Sequence, residues 1–436
     1  MTFLIDFLGC KVNSYEVECI GDLLIKNGYT EWVKKPFQKE PDVVIINTCA
    51  VTETSTAKDR KMIRQYRRQY KKAILIVMGC YSQYDYDLIS EELNADIVLG
   101  TANREKIIEY IEQFKKDKKP IIDHVKNNDI KKYEELNLFS SLLTTRVYLK
   151  IQDGCDNYCT YCLIPYIRGR SRSRSKPEIL KEVKILIASG YKEIILTGID
   201  MSSYGEDLYK DYGLSDLIED ILKDNPDLYR LRISSLEASK IDDKFIKLLE
   251  KYPNFANHLH IPLQSASINV LKKMNRQYDI NGFKDKIAKI RKVRPDISIT
   301  TDVIVGFPTE LDDDFNDTFQ FCKKIKFSKI HVFPYSSREG TIASKYVSDI
   351  SDFDKKVRVT KLIALSDELE LSYSKKFNGK TMEFLLEKYD EKKKTYHCHS
   401  SNHLEYFYKS DQANLTGKII SIKYDFNTTF FDIVKK

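Results

Sequence analysis

Six of the nine cysteines fall into two groups of three. Cys155, Cys159 and Cys162 lie within eight residues, in DGCDNYCTYC, and a loop that short can wrap three thiolates around one inorganic cluster. Three protein thiolates leave a four-iron cluster with one open iron. That iron can chelate the amino and carboxylate groups of S-adenosylmethionine and pass an electron into its sulfonium, releasing a 5′-deoxyadenosyl radical. The competing reading is a structural zinc site, which wants a fourth Cys or His nearby, and this loop contains none. The second group is dispersed: LIDFLGC, VVIINTC and LIVMGC are three β-rich runs ending at Cys10, Cys49 and Cys80. Residues just past the carboxyl ends of parallel strands converge on one crevice, so these thiols can form a second three-thiolate iron-sulfur site. Ordinary buried cysteines are the alternative. Disulfides are a poor explanation, because the chain shows no export signal and a reducing compartment keeps thiols free.

These residues must be positioned by more than one domain, since 436 residues is about three times a typical domain length. With 42% hydrophobic and 31% charged residues, no window reaches the roughly 18 unbroken apolar residues of a membrane helix. Met1 to Lys11 carries no basic stretch and no cleavage site, so a cytoplasmic, non-membrane protein is expected. The net charge of +7 permits a polyanionic partner without requiring one. Residues 1–115 alternate short β-rich runs (Phe3 to Phe7, Val43 to Asn47, Ile74 to Met78, Asp96 to Leu99) with amphipathic stretches, predicting a doubly wound parallel α/β domain. Residues 116–141 are lysine-rich and weakly periodic, as in a linker crossing the surface. Residues 142–372 hold a second βα series, with strands near Val147 to Gln152, Glu193 to Leu196, Tyr229 to Ile233, His258 to Pro262, Ser298 to Val305 and Lys329 to Phe333. Six strands are two short of a closed eight-stranded barrel, so a partial (β/α)6 barrel with chemistry at the strand C-termini is expected. Residues 373–436 change to five short alternating strands, the last over Thr429 to Val434, predicting a small all-β barrel of a kind that often binds nucleic acid.

The spacing C-x3-C-x2-C after a first barrel strand resembles the radical S-adenosylmethionine superfamily. That resemblance implies cofactor contacts at successive strand ends: Thr197 and Gly198 for the methionine amino group, Ser234, Ser235 and Glu237 for ribose or methionine, and Gly306 for adenine. A glycine at a strand end is more often only a turn, and the shared placement is what carries weight. Both triads together resemble the methylthiotransferases over essentially the whole chain. LGCKVNSYE and CDNYCTYCLIPYIRGRSRSR, supported by VLKKMNRQYD and HVFPYSSREGT, are similar to the branch acting on N6-threonylcarbamoyladenosine in tRNA; the isopentenyladenosine branch usually has GCQMN in the first motif. The resemblance implies two [4Fe-4S] clusters, S-adenosylmethionine as radical source and methyl donor, tRNA as substrate, an electron donor such as flavodoxin or ferredoxin, a sulfur source, and a C-terminal domain of the TRAM type. Isopentenyladenosine or a ribosomal protein as substrate remains an alternative, as does a non-catalytic RNA-binding iron-sulfur or zinc protein.

Weaker features complete the reading. Arg168, Arg170, Arg172 and Arg174 follow the cysteine loop and are candidates to grip tRNA phosphate or a cofactor carboxylate, against a solvated loop. His397, Cys398, His399 and His403 suggest zinc, but alternation along a strand sends His397 and His399 to one face and Cys398 to the other. His258 and His260 share one face of a barrel strand, as cavity lining or as core.

Overall fold

The structure is a computed structural model that describes residues 1–34, 39–138, 145–276, 278–348 and 350–426. The first six strands, β1 (Thr2–Phe7), β2 (Thr30–Glu31), β3 (Val43–Thr48), β4 (Ile74–Gly79), β5 (Ile97–Leu99) and β6 (Ile121–Asp123), form one parallel sheet in the order β2-β1-β3-β4-β5-β6. The four expected strands are present, and β2 and β6 are short edge additions. Helices α1 (Lys11–Lys26), α2 (Glu53–Gln69), α3 (Cys80–Tyr84), α4 (Tyr86–Glu91) and α5 (Ile107–Asp117) connect them. VVIINT and ILIVMG are buried throughout, the pattern of strands covered on both faces. The chain turns one way from β1 to β2 and the other way to β3, so a crevice opens at the carboxyl ends of β1 and β3.

The second unit starts at β7 (Arg146–Lys150), followed by an antiparallel pair, β8 (Gln152–Asp153) and β9 (Arg172–Ser173), that brackets the cysteine loop. Strands β10 (Glu193–Thr197), β11 (Arg230–Ile233), β12 (His258–His260), β13 (Ser298–Val305) and β14 (Lys329–Pro334) complete it. They form two parallel sheets, β7-β10-β11 and β12-β13-β14, joined by a parallel bridge between Leu231 and Phe255 into one six-stranded arc. The helices are α6 (Ile164–Arg168), α7 (Lys176–Ala188), α8 (Leu214–Asp224), α9 (Asp243–Lys251), α10 (Ile268–Lys273), α11 (Ile280–Val293), α12 (Asp312–Ile325) and α13 (Asp352–Lys375). In α8 the buried Leu214, Leu217, Ile218, Ile221 and Leu222 make the apolar stripe that lays a helix on a sheet. Helix α1 of the first unit packs along the β7 edge of the arc.

The lysine-rich connection differs from the expected surface linker. Ile130, Leu136 and Leu138 are buried, and Tyr15 of α1 donates its hydroxyl to the Leu136 carbonyl. The lysines hid this, because three apolar anchors suffice to seat an otherwise polar segment. The C-terminal strands β15 (Thr381–Asp390), β16 (Thr395–Ser400), β17 (Glu405–Lys409) and β18 (Ile419–Lys423) form an antiparallel sheet in the order β17-β16-β15-β18, irregular between Leu386 and Tyr389. The expected strand over Thr429 to Val434 lies outside the described residues. Cys398 packs in this sheet's core, while the rings of His397 and His399 meet edge to face on the other face. Arg146 pairs with Glu387 at 3.0 Å, and Asn257 donates its backbone N–H to Ser401, so this sheet sits at the amino ends of the barrel strands.

Candidate active site

Local backbone rules bring the dispersed triad together. Gly9 and Gly79 precede Cys10 and Cys80 with φ of +127° and +106°, a region open to glycine, and a Cβ on Gly79 would stand 2.1 Å from Asn47 Oδ1. Asn13 donates its amide to the carbonyls of Leu8 and Thr48, both at 2.9 Å, tying the turn before Cys10 to the end of β3. Thr48 in turn donates its hydroxyl to the Met78 carbonyl at 2.7 Å, tying β3 to the end of β4. The three thiols consequently stand close enough that each of Cys49 and Cys80 feels the charge of Cys10. Cys10 is exposed, whereas Cys49 and Cys80 are buried.

The second triad occupies one loop. Gly154, at φ +71°, lets the chain leave β8 against Arg170, where a Cβ would be 2.0 Å from the carbonyl oxygen. Gln152 accepts the Asp200 N–H at 2.8 Å and donates to the Gly154 carbonyl at 2.7 Å, locking the turn after Thr197 and Gly198 onto the cysteine loop. Both carboxylate oxygens of Glu237 accept from Arg276 Nη2, at 2.8 and 2.6 Å, and Arg276 Nη1 donates to Cys159 Sγ at 3.5 Å. Ser234 is buried at the end of β11, and Ser202 accepts the Glu237 N–H at 2.8 Å. Gly306 ends β13 beside Phe307, which joins an apolar group containing Tyr161 of the loop. Glu237 therefore meets the loop at Cys159 through Arg276, and the turn after Thr197 and Gly198 is tied to it through Gln152, while Ser234 stands at the end of β11 and Gly306, just past β13, is linked to the loop's Tyr161 through Phe307. Asp200 and Arg276 belong to the same group and were missed; only their places, just past TG and between Asn275 and the barrel, gave a signal.

One short peptide touches both triads. Arg168 donates Nε to Cys80 Sγ at 3.1 Å, and its neighbour Gly169 accepts the Cys155 N–H at 3.1 Å. Arg168 is buried in a network of four cations and three carboxylates: Lys150, Arg168, Arg104 and Arg172 with Glu16, Asp153 and Glu134. Glu16 and Asp153 are held well below the usual carboxylate range; burial opposes this, and the arginines and Lys150 overcome it. The arginine run is thereby corrected. Arg168, Arg172 and Arg174 face inward, Arg174 pairing with Glu182 at 2.7 Å, so none is open to RNA phosphate. Only Arg170 is exposed, and it pairs with Asp156 at 2.5 Å. Alternating Arg and Ser looked solvated because sequence alone does not show the carboxylates that fold in from α1 and β8.

The donor set fits two iron-sulfur clusters. All six cysteines are free of disulfides. Burial pushes the Cys80 and Cys162 thiols up to about 12, so they ionise only when a metal supplies the compensating charge. Arg168 and Arg276 each aim a donor at one sulfur, the kind of contact that stabilises a thiolate. Beside Cys159, a small cleft lined by Asn157, Asp200, Glu237, Arg276 and Tyr278 holds the buried Arg276 Nε without a partner, a donor that suits an acceptor group such as the carboxylate of S-adenosylmethionine.

Family comparisons agree with this architecture. Residues 149–322 match the model of the Radical SAM superfamily, and residues 2–100 match that of the Uncharacterized protein family UPF0004. The arc and its loop thus define a radical S-adenosylmethionine enzyme. The chain is 41% identical over 419 residues, 95% of its length and 92% of the relative's, to the threonylcarbamoyladenosine tRNA methylthiotransferase MtaB of Bacillus subtilis strain 168. It is 34% identical over 431 residues, 97% of its length and 93% of the relative's, to the tRNA-2-methylthio-N(6)-dimethylallyladenosine synthase of Clostridium novyi strain NT. Among solved structures, the radical S-adenosylmethionine methyltransferase TsrM of Kitasatospora setae matches with a TM-score of 0.55 at 12% identity, covering 76% of this chain and 72% of that one, which is a likeness of fold. The chain belongs to the radical S-adenosylmethionine methylthiotransferase family.

Proposed function

We propose that this protein adds a methylthio group to C2 of N6-threonylcarbamoyladenosine at position 37, beside the tRNA anticodon. The observation that carries the chemistry is the Arg168–Gly169 step, which contacts a cysteine of each triad. The substrate rests on likeness to the threonylcarbamoyladenosine enzymes, the 41% relative among them. The hydrogen on adenine C2 has no useful acidity, so general acid–base catalysis has little purchase on it. When bound, a cluster with S-adenosylmethionine supplies a carbon radical for such a bond, and the second cluster the site of sulfur transfer. Cys155, Cys159 and Cys162 would hold the first, Cys10, Cys49 and Cys80 the second. The strand-end residues Thr197, Gly198, Ser234, Glu237 and Gly306 orient S-adenosylmethionine in this reading, and the packed junction excludes water and fixes the distance between the two sites.

The C-terminal sheet serves as a TRAM-type RNA-binding element, and the enzyme works in the cytoplasm with a flavodoxin- or ferredoxin-type reductant and a separate sulfur source. Among the described residues no helix is long and apolar enough to cross a membrane. Likeness to the dimethylallyladenosine synthase supports isopentenyladenosine as the second reading. Mass spectrometry of tRNA nucleosides from cells with and without the gene tests the substrate: loss of 2-methylthio-N6-threonylcarbamoyladenosine is expected, and loss of the isopentenyl product instead would move the assignment to the second reading.

A further inference from the structure

A cavity of about 300 Å³ lies between the barrel wall and the C-terminal sheet, lined among others by Lys11, His258, His260, Thr300, His331 and His403. Lys11 directly follows Cys10 and opens α1, so it enters this space from the dispersed triad's side. The carboxylates around it are engaged elsewhere. Asp302 pairs with His260 at 3.1 Å, Glu370 with Lys329 at 3.0 Å, and Glu405 with His397 at 3.2 Å. Arg232 and Arg146 stand near enough to Lys11 to add positive potential, which Asp302 and the Cys10 thiol partly offset. Among the described residues Lys11 has no hydrogen bond or ion pair of its own. A second observation points the same way: His258 is 5% exposed and its Nδ1 has no partner, while its Nε2 is satisfied by Thr300 Oγ1 at 3.1 Å. A solvent-reached cation without a counter-ion and a buried imidazole nitrogen without a partner line one space, and together they suit a polar, anionic ligand.

The chemistry of the substrate supplies one. In adenine, C2 and the carbon bearing N6 flank N1 on the same ring edge, so when C2 faces the sulfur donor at Cys10 the N6 substituent extends past the same rim. The threonylcarbamoyl group carries a free carboxylate there; an isopentenyl group carries no charge. We propose that Lys11 is a specificity-determining residue whose ammonium holds the threonylcarbamoyl carboxylate in this cavity while C2 faces the Cys10–Cys49–Cys80 site. The inference rests on the substrate reading above.

The test is the affinity of the cluster-loaded protein for an anticodon stem-loop bearing threonylcarbamoyladenosine, against the same stem-loop with the carboxyl converted to its primary amide. The unaltered protein should prefer the carboxylate by on the order of tenfold to a hundredfold, the range of a charge-assisted hydrogen bond. Lys11→Gln should bring the ratio near one, and Lys11→Arg should keep most of it. Iron content identifies a variant that has failed to assemble, and in that event the unaltered protein decides alone, because equal affinity for carboxylate and amide overturns the proposal. An unchanged ratio in an iron-loaded Lys11→Gln variant also overturns it. Methylthiolation of the carboxylate stem-loop by the unaltered protein separates the two ideas: if that product forms while the ratio does not move, Lys11 fails and the substrate reading stands; if it does not form, the substrate reading fails and takes Lys11 with it.

Discussion

The two cysteine triads do comparable work with opposite encoding. Cys155, Cys159 and Cys162 are gathered by one loop, whose shape depends on Gly154 and the short pairing of β8 with β9. Cys10, Cys49 and Cys80 are gathered only because three parallel strands stand in register and Asn13 and Thr48 stitch their ends. A local site tolerates change in the sheet far away; a site built across strands inherits every perturbation of that sheet. The loop triad is the more autonomous, and the strand-end triad is the one that reports on the whole domain.

Breaking each triad in turn should separate their roles. Cys159→Ala removes a cluster ligand from the loop triad and should lower reductive cleavage of S-adenosylmethionine by about a thousandfold or more, read as 5′-deoxyadenosine, since a missing electron route is not compensated by binding. Detectable 5′-deoxyadenosine at the normal rate would contradict the assignment. Cys49→Ala should spare that cleavage while lowering iron from about eight to about four per chain and abolishing the methylthio product, given four irons per cluster. Normal product from this variant would remove the strand-end triad from the chemistry.

The junction can be probed next. Arg168→Met leaves Glu16 and Asp153 short of a buried partner and should cost about 3–5 kcal/mol in urea unfolding, the usual range for breaking a buried ion pair. A loss below about 1 kcal/mol would show that the network does not hold the junction. Arg170→Ala, two residues on, removes only an exposed pair and should change stability by less than about 0.5 kcal/mol. That contrast within one RGR tripeptide is a direct measure of burial, because residue type is constant.

Legibility followed the same division between local and long-range information. The loop spacing was readable because ligation and sequence distance coincide there. The strand-end triad was readable because β-rich runs ending in Cys repeat, and parallel strands have only one kind of end. Barrel strands were located by apolar runs, and the two-residue edge strand Thr30–Glu31 was not, since a pair of residues carries no period. The arginine run was misjudged because its partners, Glu16 and Asp153 for Arg168 and Glu182 for Arg174, are distant or on another element. Lys11 escaped notice for a related reason: an isolated lysine at a helix start is unremarkable until the fold places it on a cavity with four histidines.

The central claim is that two independent three-thiolate sites meet at one junction. It is tested most directly by changing Cys155, Cys159 and Cys162 together to Ala, reconstituting anaerobically, and measuring iron and the cluster's electron paramagnetic resonance after reduction. About four irons per chain and the signal of a single four-iron cluster are predicted, held by Cys10, Cys49 and Cys80. A triple variant that binds no iron, or that takes up zinc in its place, would contradict the account.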